Sequence, residues 1–151
     1  MTADEPHRWA EELTAAGIPT HLWPLFEDHG VGTLVPRLGI IFDELSAQRT
    51  VAHMPVTPNT QPAGLLHGGA TAALIETVAS FAANVGAPQG HRAVGTELNV
   101  SHVRPGIHSP VRAVATEVRA GRTQAVHQVE VMDARGKLIS IGRVTNAYVP
   151  V

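Results

Sequence analysis

The stretch Gly64-Leu-Leu-His-Gly-Gly-Ala-Thr-Ala-Ala-Leu-Ile-Glu-Thr-Val-Ala-Ser80 decides how the rest of the chain is read. A His-Gly-Gly turn runs straight into an apolar segment of small residues. Leu74, Val78 and Phe81 recur in it at helical spacing, with Ala70, Ala73 and Thr77 filling the same side. The pattern predicts one long helix, ended by Gly86-Ala-Pro-Gln-Gly90. Glu76 sits in its middle, and no Lys or Arg occurs between Arg49 and Arg92 to neutralise it. A carboxylate on a helix that otherwise reads as core is costly to bury. An acid held in such a place usually has a task.

Working outward, the period changes from helical to alternating. Before the helix, Leu38 to Glu44 is an Ile-rich run that predicts a strand. Arg49 to Val56 alternates and reads as its hairpin partner. Thr57-Pro-Asn-Thr-Gln-Pro62 is a loop. After the helix, four strand patterns follow: Ala93 to Val103, Val111 to Arg119, Thr123 to Asp133 and Leu138 to Val149. Arg104-Pro-Gly, Ala120-Gly-Arg and Ala134-Arg-Gly separate them, the last two at hairpin spacing. At the N-terminus, Glu5 to Gly17 reads as a short helix with Pro6 in its first turn. Pro19 to Gly32 reads as irregular, anchored by Trp23, Leu25 and Phe26, which either line a pocket or cap the sheet.

The order is thus a short helix, two strands, one long helix and four strands. One helix cannot cover both faces of a six-stranded sheet. The apolar, β-branched later strands place one face around the helix, and the open edge invites a second copy. This predicts an α+β hotdog fold, an antiparallel sheet of about six strands wrapped around a central helix. We divide the chain into an N-terminal extension, residues 1–32, and a hotdog domain, residues 33–151.

Composition narrows the function classes. The 151 residues include 44% hydrophobic and 16% charged positions, which fits a folded globular domain. A net charge of −2 offers no basic field for nucleic acid. There are no cysteines, which removes disulfides, thiolate catalysis and Cys-based zinc sites, and suits a cytoplasmic location. The acidic Met-Thr-Ala-Asp-Glu-Pro start is unlike a secretory signal. The longest apolar segment carries Glu76 and is rich in Ala and Gly, so no membrane span is expected. Ten of the eleven basic residues are Arg. Arg pairs with phosphates in a two-pronged way that Lys cannot, although genomic codon bias is the plainer explanation of the composition as a whole. The histidines show no H-x-x-x-H or H-E-x-x-H spacing, and no metal site is expected.

The first amides of the predicted helix, at Gly68 and Gly69, lack partners within it and carry the positive end of its dipole. Glycine there lets a carbonyl approach closely. Together these can polarise a carbonyl oxygen, whereas the plainer reading is a glycine-rich turn into a tightly packed helix. Glu76 can activate water as a general base or attack a carbonyl; otherwise it pairs with an Arg from another strand. Ser80, four residues on, can bond the Glu76 carboxylate, a water or its own helix. His67 and Glu76 are nine residues apart, roughly 13 Å of rise and about half a turn of rotation. Features so far apart act on one carbonyl only if they come from different subunits.

These residues resemble the hotdog-fold acyl-CoA thioesterases. Gln61 stands six residues before His67, and His-Gly-Gly, Glu76 and Ser80 follow at that family's spacing. The nearest likeness is to the branch of the phenylacetate-pathway and Arthrobacter-type 4-hydroxybenzoyl-CoA thioesterases. It covers roughly Val35 to Val149, including Ala93-Val-Gly-Thr-Glu-Leu-Asn-Val-Ser-His-Val-Arg-Pro105 and Arg119-Ala-Gly-Arg-Thr-Gln124. The resemblance implies Glu76 as nucleophile or general base, with the partner chain's Gly68 N–H polarising the thioester carbonyl. Gln61 and His67 would assist positioning, and Ser80 would hold the water or Glu76. Gly69, Arg104, Arg122 and Thr123 would face CoA, which is itself part of the substrate, so no separate cofactor is implied. The acyl group would be aryl or medium-chain, and the assembly a homodimer or a homotetramer of two dimers. The chain departs from that family at its end, Asn146-Ala-Tyr-Val-Pro-Val151, where relatives can carry an Arg toward the CoA phosphates. A non-catalytic acyl-CoA-binding protein is the alternative of a different class, and a hotdog dehydratase or hydratase a third.

Overall fold

Residues 7–151 are described by the computed structural model. Helix α1 (Ala10–Ala15), a 3-10 segment (Thr20–Phe26) and helix α2 (Leu34–Leu38) precede strands β1 (Ile41–Leu45) and β2 (Arg49–Met54). Helix α3 (Gly68–Val85) follows, and then β3 (His91–His102), β4 (Val111–Ala120), β5 (Gln124–Met132) and β6 (Leu138–Pro150). The sheet runs β1-β2-β4-β5-β6-β3, with every neighbouring pair antiparallel. This is the expected hotdog architecture. No helix among the described residues is long and apolar enough to cross a membrane.

Helix α3 forms because its start is capped and one face is continuously apolar. The His67 ring accepts the Gly69 N–H at 2.8 Å, satisfying one of the amides left over at the helix start. The buried face is Thr71, Leu74, Ile75, Val78, Ala79 and Ala82. Ala73 and Thr77, expected on that face, lie at its half-buried margin. Full burial of Leu74, Ile75 and Val78 stabilises the fold by about 1.5–3 kcal/mol each. Close approach to the sheet depends on Gly142 of β6, where a Cβ would stand 2.9 Å from Ile75 Cγ2.

Three expectations at the N-terminal end need correction. Helix α1 covers Ala10–Ala15 rather than Glu5 to Gly17; Glu5 and Pro6 lie outside the described residues. Pro19 to Gly32 is not wholly irregular, because Thr20–Phe26 is a 3-10 helix. Leu38 belongs to α2, and the strand starts at Ile41. Gly39, at φ 69°, provides the left-handed residue that ends α2 and turns the chain into β1.

The N-terminal segment closes one flank of the core. Leu13, Ile18, Val31 and Val35 share one hydrophobic cluster with Leu74, Ile75 and Val78. The Phe42 N–H, on edge strand β1, donates to Ala16 O at 2.8 Å, and the Glu12 carboxylate accepts the Val31 N–H at 2.6 Å. Among the described residues the opposite edge, β3, has no such cover. Its residues are exposed or at most half-buried, and Val94 is 42% exposed.

Asp133 fixes the β5–β6 turn. Its Oδ1 accepts the N–H groups of Arg135 and Lys137, each at 2.9 Å. The Lys137 amide is the largest cause holding this carboxyl below its ordinary range; burial opposes it and the Arg135 amide adds to it. A carboxyl depressed in the folded state stabilises the fold fully above its unfolded value, about 4, and loses that contribution as pH falls through the folded value. Asp133→Ala is therefore expected to lower the Tm at neutral pH. Its deficit against the native protein should narrow as thermal melts are taken toward about pH 3.

Candidate active site

Glu76 lies on the side of α3 that faces β3. A Cβ on Gly95 would stand 2.9 Å from Glu76 Oε1 and 3.8 Å from Asn146 Oδ1. The missing side chain at Gly95 thus makes room for the carboxylate on the strand. The sequence suggested a carboxylate within the core, yet Glu76 is exposed on the single chain. The reason is topological: β3 is the last strand of the sheet, so no strand among the described residues continues past it. No ion pair reaches Glu76 among the described residues.

Ser80 stands one helical turn beyond Glu76. Its hydroxyl is placed against Asn146 Oδ1, 3.0 Å away on β6, rather than against Glu76 or its own helix. One turn further, Asn84 fixes this end of α3. It donates to Ser80 O at 2.9 Å and accepts the Ala93 N–H of β3 at 2.9 Å.

A second cluster lies at the start of α3. A cleft of about 450 Å³ is bordered by Gln61, Gly68, Thr71, His102, Arg104 and Ser140. Gln61 is brought there by a tight loop in which its N–H donates to Leu65 O at 2.8 Å. The His102 ring packs over Gly68, where a Cβ would stand 2.9 Å from Nε2. Its Nδ1 lies 2.9 Å from Ser140 Oγ. Arg104 donates to Leu138 O at 2.8 Å. Gly68 and Gly69 start the helix as expected, whereas His67 uses its Nδ1 to cap that helix.

The two clusters occupy opposite ends of the same elements. Gly95 pairs with Asn146, and His102 pairs with Ser140. Six residues of β6 separate them, roughly 20 Å. Gly68 and Glu76 are separated by about 12 Å of helix. The candidate CoA contacts divide in the same way. Arg104 lies at the Leu138 end of β6, while Thr123 accepts the Tyr148 N–H at the other end. Arg122 and Thr123 border a small cleft with Arg119 and Gln124. Roughly 30 Å of strand separates Arg104 from that turn, so one chain does not gather these residues around a single ligand.

The apolar N-terminal anchors also find their place. Leu25 and Phe26 border a cleft of about 450 Å³ with Phe81, Val85 and Arg92. Phe81 stacks on Phe42 with ring centroids 4.7 Å apart and meets Phe26 at 5.5 Å. Trp23 instead bonds to Ile18 O at 3.0 Å. Sequence reasoning missed Gly95, His102 and Asn146. Asn146 carried a readable signal, as a polar residue in alternation with Val144 and Tyr148 on an inward strand face. His102 carried none, because its meeting with Gly68 depends on the β3–β6 pairing.

Comparison with known proteins matches this architecture. The thioesterase superfamily model matches residues 63–140. The proofreading thioesterase EntH of Klebsiella pneumoniae is 39% identical over 130 residues, covering 85% of this chain and 89% of that protein. A thioesterase from Haemophilus influenzae superposes with a TM-score of 0.74 at 34% identity, covering 78% of this chain and 83% of the other. One from Pseudomonas aeruginosa gives 0.75 at 35% identity, covering 79% and 87%. These relatives do not single out the phenylacetate or 4-hydroxybenzoyl-CoA branch. With the hotdog sheet, the long central helix and the family match in agreement, the chain belongs to the thioesterase superfamily and is a thioester hydrolase.

Proposed function

We propose that this enzyme hydrolyses an acyl-CoA thioester to a free acid and CoA, at sites shared between two copies of the chain. The observation that carries this reading is the division of the site along an uncovered edge strand. Glu76 and Ser80 lie beside the N-terminal half of β3, and Gly68 and Gln61 beside its C-terminal half. Two β3 strands paired antiparallel set the first half of one against the second half of the other. Each such dimer then holds two complete sites, and two dimers back to back make the tetramer expected from the resemblance.

In each site the Gly68 amide, strengthened by the helix dipole, receives the oxygen on which charge develops. Gln61 helps to orient the carbonyl. Glu76 of the other chain either takes a proton from water or attacks the carbonyl itself. On the first route the hydroxyl bonds to the acyl carbon, the C–S bond breaks, and CoA leaves as thiol after taking the proton. On the second route the Glu76 oxygen bonds to the acyl carbon, the C–S bond breaks and CoA leaves as thiolate, which takes a proton from solvent; water then cleaves the anhydride to the free acid and the Glu76 carboxylate. Arg104 of one chain and Arg122 and Thr123 of the other lie at the sheet ends, where Arg is suited to phosphates. The apolar cleft at Phe26 and Phe81 supports an aryl or medium-chain acyl group, as in the branch that the sequence resembles. The absence of cysteine supports a cytoplasmic setting.

The test is release of free CoA across benzoyl-, hydroxyphenylacetyl-, hexanoyl- and palmitoyl-CoA. Turnover is expected for an aryl or medium-chain ester, and Glu76→Ala should lower kcat by about a hundredfold or more. Intact esters that merely raise the Tm would instead show a binding protein. Gly95→Ala pushes on the tip of a flexible side chain rather than on backbone. Its Tm should stay within a few degrees of native, while displacement of the carboxylate costs about tenfold or more in kcat. A shared site also makes a complementation prediction. Gly68→Pro removes the N–H at the one helical position that tolerates proline. Co-expressed with Glu76→Ala, it should restore about a quarter of native activity, because half of the dimers carry one intact site. Recovery no greater than that of the separate variants would place the whole site within one chain.

A further inference from the structure

We propose that Asn146 is a positioning residue that sets the direction of the Ser80 hydroxyl and, through it, the hydrogen bonding available to Glu76. The inference rests on the hydrolase reading above. Asn146 is fully buried on β6, opposite Gly95. Its side-chain oxygen lies 3.0 Å from Ser80 Oγ, and its buried Nδ2 has no partner among the described residues. Glu76 Oε1 and Asn146 Oδ1 both border the space that a Cβ on Gly95 would fill. A fully buried polar amide is costly unless it is hydrogen-bonded. Ser80 Oγ is the one hydrogen-bonding partner its side chain has among the described residues.

Donor counting links Asn146 to the chemistry. A serine hydroxyl has one hydrogen, and an ionised carboxylate only accepts. When Ser80 spends its hydrogen on the Asn146 oxygen, it has nothing to offer Glu76 or a water held there by its own hydrogen. A half-turn of the amide exchanges oxygen for nitrogen at the same place. The nitrogen then donates to Ser80 Oγ, and the hydroxyl hydrogen is free to point toward Glu76 or its water. The second amide hydrogen faces the space beside Gly95. The buried amide thereby decides whether Ser80 acts as donor or acceptor toward the carboxylate, with no contact between Asn146 and the substrate.

The experiment compares native protein with Ser80→Ala, Asn146→Leu, Asn146→Ser and the double variant Ser80→Ala/Asn146→Leu, by steady-state CoA release on the best ester found. Asn146→Leu keeps the side-chain size and removes its hydrogen bonds. It is expected to lower kcat about tenfold or more, the effect of losing one directed hydrogen bond, with KM within about twofold. Asn146→Ser retains a hydroxyl donor and should keep more of the native kcat than the leucine variant. If Asn146 acts through Ser80, the double variant is no slower than Ser80→Ala alone. Asn146→Leu with native kcat, or a double variant whose losses multiply, overturns the inference and leaves the hydrolase reading standing. If the leucine variant does not fold, Asn146→Ala, which also removes both hydrogen-bonding groups, takes its place, and native kcat in that variant overturns the inference. No turnover by the native protein removes the hydrolase reading and this inference together.

Discussion

Helix α3 links β2, near one edge of the sheet, to β3 at the opposite edge, and it makes that crossing over the inner face. Only close contact makes the crossing stable. Ile75 sits where Gly142 leaves no side chain, while Leu74 and Val78 are fully buried against the sheet. That contact fixes the height and rotation of the helix. The rotation points Glu76 at Gly95 and Ser80 at Asn146, and the helix start is carried to His102. A helix held farther from the sheet would lose all three meetings at once.

The same crossing explains why Gly68 and Glu76 of one chain stand apart. A helix amide with positive character exists only at the helix start. An acid placed there would neutralise that amide before any substrate arrived. Seating the acid two turns along the helix leaves the amide open, at the cost of separating the two by about 12 Å. The dimer proposed above, about the β3 edge, would remove the separation without moving either group. The exposure of Glu76 in one chain is what the shared site proposed above requires, since there a second copy supplies the rest of the wall.

Much of this was legible from residues alone. The limits of α3 could be read because its apolar period is unbroken and glycines flank it. Strands β4 to β6 could be read because the turns between them are short and glycine-bearing. Helix α2 was hidden because it is a single turn whose last residue, Leu38, runs into Ile40 and Ile41, and an apolar run of that length reads as strand. The environment of Glu76 was misjudged because helical period tells which residues share a face, but not whether the chain itself covers that face. His102 and Asn146 lie outside any local pattern. Each meets its partner through pairings across more than thirty residues of chain.

The two edges of the sheet are treated oppositely, and this asymmetry directs assembly. Edge β1 is blocked by its own chain, since Ala16 O takes the Phe42 N–H and α1 packs into the core. Edge β3 is long, lacks proline and carries exposed Val94. An unblocked edge offers a row of unpaired amides and carbonyls to any extended strand. With β1 closed, strand-to-strand pairing of two copies is left to β3, and the two-fold pairing proposed above would use both open edges and leave none. The N-terminal segment therefore bears on the proposed site at a distance: by covering β1 it leaves β3 as the open edge among the described residues, the edge on which the shared site proposed above depends.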